Sequence, residues 1–166
     1  MSADPGSVER AQRDPATTRK SDFPVLRPTP LRWADLDTFG HVNNAVHYQL
    51  MDTAIMGWLG EATGVDVRRL PGFGVVVETS CRYFREISFT MSPIVGIALA
   101  SIGRSSVRYD VGFFIDDDGP AALARFVHVY IDHETRRPVS VPPQIRSALS
   151  QFRLDGAETE SPCQPL

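Results

Sequence analysis

From Asn44 onward the apolar residues recur at Val46, Leu50 and Met51, Ala54 and Ile55, and Trp58 and Leu59, a spacing near four that draws one stripe along an α-helix. Asn43 or Asn44 is placed to cap its start. Gly64 marks its end, because glycine takes the left-handed conformation that follows a last helical turn, so the helix is expected to run about twenty residues. The period then changes. The segments GVVVETSCRYF, IVGIALASI, SVRYDVGFFI and AALARFVHVYI alternate with period two or are continuously apolar, and are predicted as strands. Gly103 with Arg104 and Ser105, and then Asp116 to Gly119, supply short turns between the later ones, which predicts an antiparallel meander. A shorter strand is predicted around Thr29 to Ala34, pushed to an edge by Pro28 and Pro30.

One long helix followed by a meander predicts an α+β domain whose sheet lays its apolar face on the helix stripe. Gly57, inside the helix, is expected where a strand passes close to the helix backbone. The domain is expected over residues 23–153, between a polar, disordered arm at 1–22 and a similar tail at 154–166. At 166 residues and 42% hydrophobic content the chain is long enough for one domain with a sizeable core. A net charge of −3 gives no overall attraction to nucleic acid, so any anionic ligand must be met locally. The two cysteines, Cys81 and Cys163, offer neither a disulfide framework nor a metal-knuckle spacing, and no apolar run is long enough to span a bilayer. A soluble, cytoplasmic protein with no membrane association is the expectation.

The chemistry is concentrated in RWADLDTFGHVNNAVHYQLMDTAI, residues 32–55. Asp35 and Asp37 close the first strand, Gly40 lets the chain turn tightly, and the helix opens at Asn43 and Asn44. A carboxylate therefore sits beside a helix start, where unpaired N–H groups and the helix dipole can stabilise an oxygen gaining negative charge. Such a pairing can serve acyl transfer. The order Asp35, Asp37, His41 also admits a metal-site reading, and Asp37 by itself also reads as a turn residue. His128 and His133 lack a matching ligand spacing and are assigned no role. Glu78, amid valines, must face water, a partner or a ligand.

The run RWADLDTFGHVNNAVHYQLMDTA resembles the signature of the 4-hydroxybenzoyl-CoA thioesterase family, and the likeness continues through VVVETSCRYFREI, GRSSVRYDVGFF and ARFVHVYIDHETRRPVSVP. The resemblance implies the hot-dog fold, a curved antiparallel sheet of five to six strands around one long central helix. It also implies a homodimer or dimer of dimers, paired sheet edge to sheet edge with active sites at the interface. Carried over by position, the catalytic aspartate is Asp37, with Asp35 its structural companion, and the carbonyl-polarising N–H belongs to Asn43 or Asn44, with Asn44 preferred. Gly40, His41, Val42 and Asn43 then line the substrate. His47 stands where many relatives carry tyrosine and is expected to point from the first helical turn towards the ligand.

The implied activity is hydrolysis of an acyl-CoA to free acid and CoA, with no cofactor and no metal. An ionised Asp37 either attacks the thioester carbonyl or activates a water, and the residues do not choose between the two. Coenzyme A phosphates call for cationic or N–H partners. Arg104, Arg108, Arg125, Arg136 and Arg137 are available, and the turn carrying Arg104 and Ser105 is the preferred site. A non-catalytic acyl-CoA binder and an enoyl-thioester hydratase on the same fold are the alternatives.

Overall fold

The computed structural model describes residues 13–116 and 119–151. The long helix, α1, runs Asn44–Thr63, and its ends follow the sequence. Asn43 is the N-cap, its side-chain oxygen accepting the Ala45 N–H, and Gly64 closes the helix at φ 66° with its N–H donated to the Gly60 carbonyl. The stripe from Leu50 to Leu59 is buried.

Five strands form one antiparallel sheet: β1 (Val25–Pro28), β2 (Gly72–Tyr83), β3 (Ile94–Ile102), β4 (Ser106–Phe114) and β5 (Ala122–Asp132), in the order β1-β3-β4-β5-β2. Its inner face, including Val95, Ile97, Val107, Tyr109, Val111, Phe113 and Phe126, packs with the α1 stripe in one core. This is the helix-and-curved-sheet architecture that the resemblance implies. Burying one apolar helix stripe against one apolar sheet face contributes most of the driving force, at about 25 cal/mol per Å² of apolar surface.

Several expectations are corrected. The meander covers only β3-β4-β5; β2 crosses to the far edge and pairs with β5 from Gly72↔Asp132 to Tyr83↔Ala122. The strands that precede and follow α1 thus take opposite edges, which lets the sheet curve around the helix from both sides. The first strand is Val25–Pro28 and not 29–34, and Pro28 sits on an edge strand, where a missing N–H is tolerated. Trp33–Asp35 is a 3-10 turn, because the Asp35 carboxylate reaches back to the Arg32 N–H at 2.7 Å. A Cβ on Gly57 would meet only the Arg27 guanidinium, at 3.5 Å, so no strand backbone presses on the helix there.

Residues 13–22 were expected in the arm but lie against the outer sheet face: Arg13 pairs with Asp110 at 3.1 Å, its guanidinium lies over Phe23, and Thr18 is buried. The small cluster of Phe23, Ala98, Phe114 and Leu123 on that face supplies the apolar contact that holds the segment. The rest of the arm and the tail at 154–166 lie outside the described residues. A second helix, α2 (Pro143–Ser150), was not anticipated; it opens with proline in its first turn and buries Ile145, Ala148 and Leu149. No helix among the described residues is long and apolar enough to cross a membrane.

Candidate active site

Asp37 lies in a small closed loop. Leu36 bridges to Val42 and His41 to Ser88, the Asp37 N–H donates to the His41 carbonyl at 2.8 Å, and the Gly40 N–H returns to the Asp37 carbonyl at 3.1 Å. Gly40 holds φ 82°, in the left-handed region, which the reversal requires. The Asp37 Oδ1 accepts the N–H groups of Phe39 at 2.8 Å and His41 at 3.1 Å. Its Oδ2 receives no hydrogen bond from the described residues. Two further bonds fix this loop to the body: Val42 N–H to the Ile87 carbonyl and Asn43 N–H to the Asp35 carbonyl.

Asp35 is a supporting residue. It is 1% exposed, and its carboxylate accepts from the Arg32 backbone and from the Arg32 guanidinium, at 2.7 Å from Nη2. The guanidinium holds the Asp35 carboxyl below its ordinary range. With Asp35 occupied by Arg32, and His41 paired to Glu86 at 3.1 Å, the metal reading loses its ligands; among the described residues no group of three such side chains can hold an ion.

At the helix start the Asn43 side chain satisfies the Ala45 N–H, and the Asn43 carbonyl takes the Val46 N–H. The Asn44 N–H has no acceptor among the described residues. Tyr83, at the end of β2, donates its hydroxyl to the Asn44 carbonyl at 3.1 Å and ties the first turn to the sheet. Sequence reasoning did not single out Tyr83. Exposed aromatic side chains ring the loop, with Trp33 76% and Phe39 81% exposed and Trp33 edge-on to Phe89.

Three expected site residues stand elsewhere. His47 is buried, wedged edge-on between Tyr83 and Phe113 with Nδ1 3.3 Å from the Asn43 carbonyl, and burial depresses its pKa. It packs the first turn onto the sheet and does not face outward. Arg104 and Ser105 lie at the opposite end of β3 from the Asp37 loop, nine residues or about 30 Å away along the strand. The carbonyls of their turn are engaged by the Tyr130 and Val141 N–H groups and by Arg146. Within one chain they do not join the Asp37 cluster.

A cavity of about 250 Å³ opens instead beside the second half of α1, walled by Met56, Leu59, Val67, Leu70, Phe73 and Ile145. His128 and Tyr130 line it, and Arg68 and His133 stand at its rim. His128 is 2% exposed, its Nδ1 makes no hydrogen bond, and burial pushes its pKa down to about 4. The imidazole is therefore neutral at pH 7. Its position was legible: in ARFVHVYI it shares the inward phase of Phe126 and Tyr130.

A sequence model of the thioesterase-like superfamily matches residues 31–149. No curated protein matches the chain significantly. Among solved structures, the PA5185 protein of Pseudomonas aeruginosa is 34% identical with a TM-score of 0.78, over 82% of this chain and 96% of that one. A Thermus thermophilus thioesterase, solved with coenzyme A and zinc, is 28% identical with a TM-score of 0.63, over 78% and 94% of the two chains. A 1,4-dihydroxy-2-naphthoyl-CoA thioesterase from Synechocystis shares the fold at 17% identity and a TM-score of 0.70, over 76% and 96%.

Proposed function

Because the chain belongs to the thioesterase-like superfamily, we propose that it hydrolyses acyl-CoA thioesters, with Asp37 as the nucleophile or general base and the Asn44 N–H as oxyanion donor. The observation that carries this reading is the pairing of a free carboxylate oxygen with an unpartnered helix-start N–H on one braced segment. The coenzyme A bound to the Thermus thermophilus relative supports a CoA thioester as the ligand.

In the nucleophilic route Asp37 Oδ2 bonds to the thioester carbonyl carbon, the C–S bond breaks to release CoA thiolate, and water then cleaves the mixed anhydride. In the base route Asp37 takes a proton from water as the water oxygen bonds to the same carbon; the tetrahedral adduct then collapses with cleavage of the C–S bond, and the departing CoA thiolate takes up the proton from Asp37. Both routes place negative charge on the carbonyl oxygen, to which the Asn44 N–H can donate a hydrogen bond; one preorganised donor of this kind is worth about 3 kcal/mol. Gly40, His41, Val42 and Asn43 form the adjoining substrate surface. No step calls for a metal or a redox cofactor.

Assembly enters the same reading. In the sheet β2 pairs only with β5, so its other edge is open, and Val76 and Val77 are exposed at its middle. An unprotected twelve-residue edge is a pairing template. We therefore assign β2 as the dimer edge, with two copies paired antiparallel or assembled further as a dimer of dimers. In such an assembly the Arg104–Ser105 turn meets CoA phosphates only from a different subunit than the Asp37 it serves.

Thiol release from acetyl-, octanoyl-, tetradecanoyl- and benzoyl-CoA tests the reaction. Turnover with at least one of them is expected. Binding without thiol release would favour the non-catalytic binder, and loss of the enoyl absorbance of crotonyl-CoA without thiol release would favour the hydratase.

A further inference from the structure

The Asn44 N–H belongs to the peptide group whose carbonyl is that of Asn43. A trans peptide is planar, with its N–H and C=O pointing in opposite directions, so whatever holds the Asn43 oxygen also aims the Asn44 N–H. Two groups face that oxygen. The Val46 N–H donates to it at 2.9 Å, and His47 Nδ1 stands 3.3 Å from it. The flanking groups are fixed as well: the Asn43 N–H donates to the Asp35 carbonyl at 2.9 Å, and the Tyr83 hydroxyl donates to the Asn44 carbonyl at 3.1 Å.

Packing holds the His47 ring against this carbonyl. The residue is 4% exposed, and its ring lies edge-on to Tyr83 at 4.9 Å and to Phe113 at 5.0 Å between centroids. Burial favours the neutral ring, which carries one proton. A carbonyl oxygen only accepts, so that proton belongs on Nδ1. A hydrogen bond received by a carbonyl also polarises its peptide and strengthens the N–H of that peptide as a donor. His47 thus acts on the Asn44 N–H from behind, through the peptide group, without touching a ligand.

Resting on the thioesterase reading, in which the Asn44 N–H donates to the oxyanion, we propose that His47 is a positioning residue whose Nδ1–H fixes and polarises the Asn43–Asn44 peptide. The Asn44 N–H is then aimed at the substrate oxygen before charge develops on it. The benefit belongs to the transition state, because a hydrogen bond to a charged oxygen is stronger than one to the neutral thioester carbonyl. Loss of the Nδ1–H therefore lowers kcat and leaves KM nearly unchanged. A ring that served packing alone would behave differently: its shape would matter and its proton would not.

Two substitutions separate the donor from the ring. His47→Phe keeps an aromatic ring between Tyr83 and Phe113 but has no donor. His47→Asn loses the ring, while its amide nitrogen stands close to the position of Nδ1 and can donate to the Asn43 carbonyl. With the fastest-cleaved of the four acyl-CoAs, His47→Phe should lower kcat about tenfold with KM within about twofold, and should melt near wild type. His47→Asn should melt lower, because it leaves a gap in the core, yet keep kcat within about threefold of wild type. Wild-type kcat in His47→Phe, or a kcat in His47→Asn as low as that of His47→Phe, overturns the proposal. The tautomer is a test that needs neither variant to fold. Heteronuclear NMR of the wild-type histidine rings at neutral pH, with His47 identified by its contacts to Tyr83 and Phe113, should place the ring proton on Nδ1; a proton on Nε2 overturns the proposal. If the wild-type protein hydrolyses no acyl-CoA, the thioesterase reading fails by itself, and the tautomer alone decides whether His47 holds the Asn43–Asn44 peptide.

Discussion

Asp37→Asn separates chemistry from architecture at the proposed site. Asp37 Oδ1 accepts two loop N–H groups, at 2.8 and 3.1 Å, and an asparagine carbonyl oxygen can accept both in the same place. The amide nitrogen then occupies the position of Oδ2 and carries neither the charge nor the lone pair that attack or proton abstraction needs. Charge-assisted hydrogen bonds are roughly twice as strong as neutral ones, so weakening two part-exposed bonds costs about 1 kcal/mol in total. For a chain of this size that lowers Tm by about 2–4 °C. The fraction folded at 25 °C hardly changes when stability is several kcal/mol. Catalysis should instead fall at least about 10²-fold in kcat/KM, equivalent to about 2.7 kcal/mol of lost transition-state stabilisation. Steady-state thiol release, a calorimetric acyl-CoA titration and a melting curve on the same preparation distinguish the two effects. Near-wild-type turnover by Asp37→Asn would refute the mechanism, and the loop would then be a turn and helix entry without a reacting group.

Asp35→Asn should act through stability: losing the charge facing Arg32 is expected to cost about 1–2 kcal/mol by chemical denaturation. Because Arg32 lowers the folded-state pKa of Asp35, the gap from wild type should be complete above about pH 4 and fade as pH falls through that depressed pKa. His128 has the opposite charge type: burial lowers its folded pKa from 6.5 to about 4, so the unfolded chain takes up the proton first. Stability should therefore decline as pH falls from about 6.5 to 4, by about 3 kcal/mol from this residue, and His128→Leu should flatten that limb in pH-resolved denaturation; an unchanged limb would contradict the burial. Val77→Lys replaces an exposed apolar side chain at the middle of the β2 edge with a strongly solvated charge in each copy, so light scattering should show the 18.4 kDa monomer and thiol release should fall with it. A Val77→Lys dimer with full activity would move the interface elsewhere.

The sequence by itself determined what depends on near neighbours. The α1 stripe, the Asn43 cap and the Gly64 stop follow from periods and backbone preferences that act over one or two helical turns, and the four strands after α1 follow from alternation. The turn around Asp37 is equally local, since the hydrogen bonds that close it link residues within four positions, while the bond from Val42 to Ile87 that fixes it to the body is long-range. Tertiary structure decided what depends on which surfaces meet. The crossing of β2 to the far edge depends on covering the helix from both sides, a demand no local pattern carries. His47 turns inward because Tyr83 and Phe113, 36 and 66 residues further on, form its pocket. Residues 13–22 are polar enough to read as an arm, yet Asp110 and the cluster around Phe23 give them a surface to hold. The cavity around His128 depended most on the fold: its walls come from α1, β2, β5, α2 and the segment before β2, and an empty volume between five separate pieces of chain leaves no periodic trace in any of them.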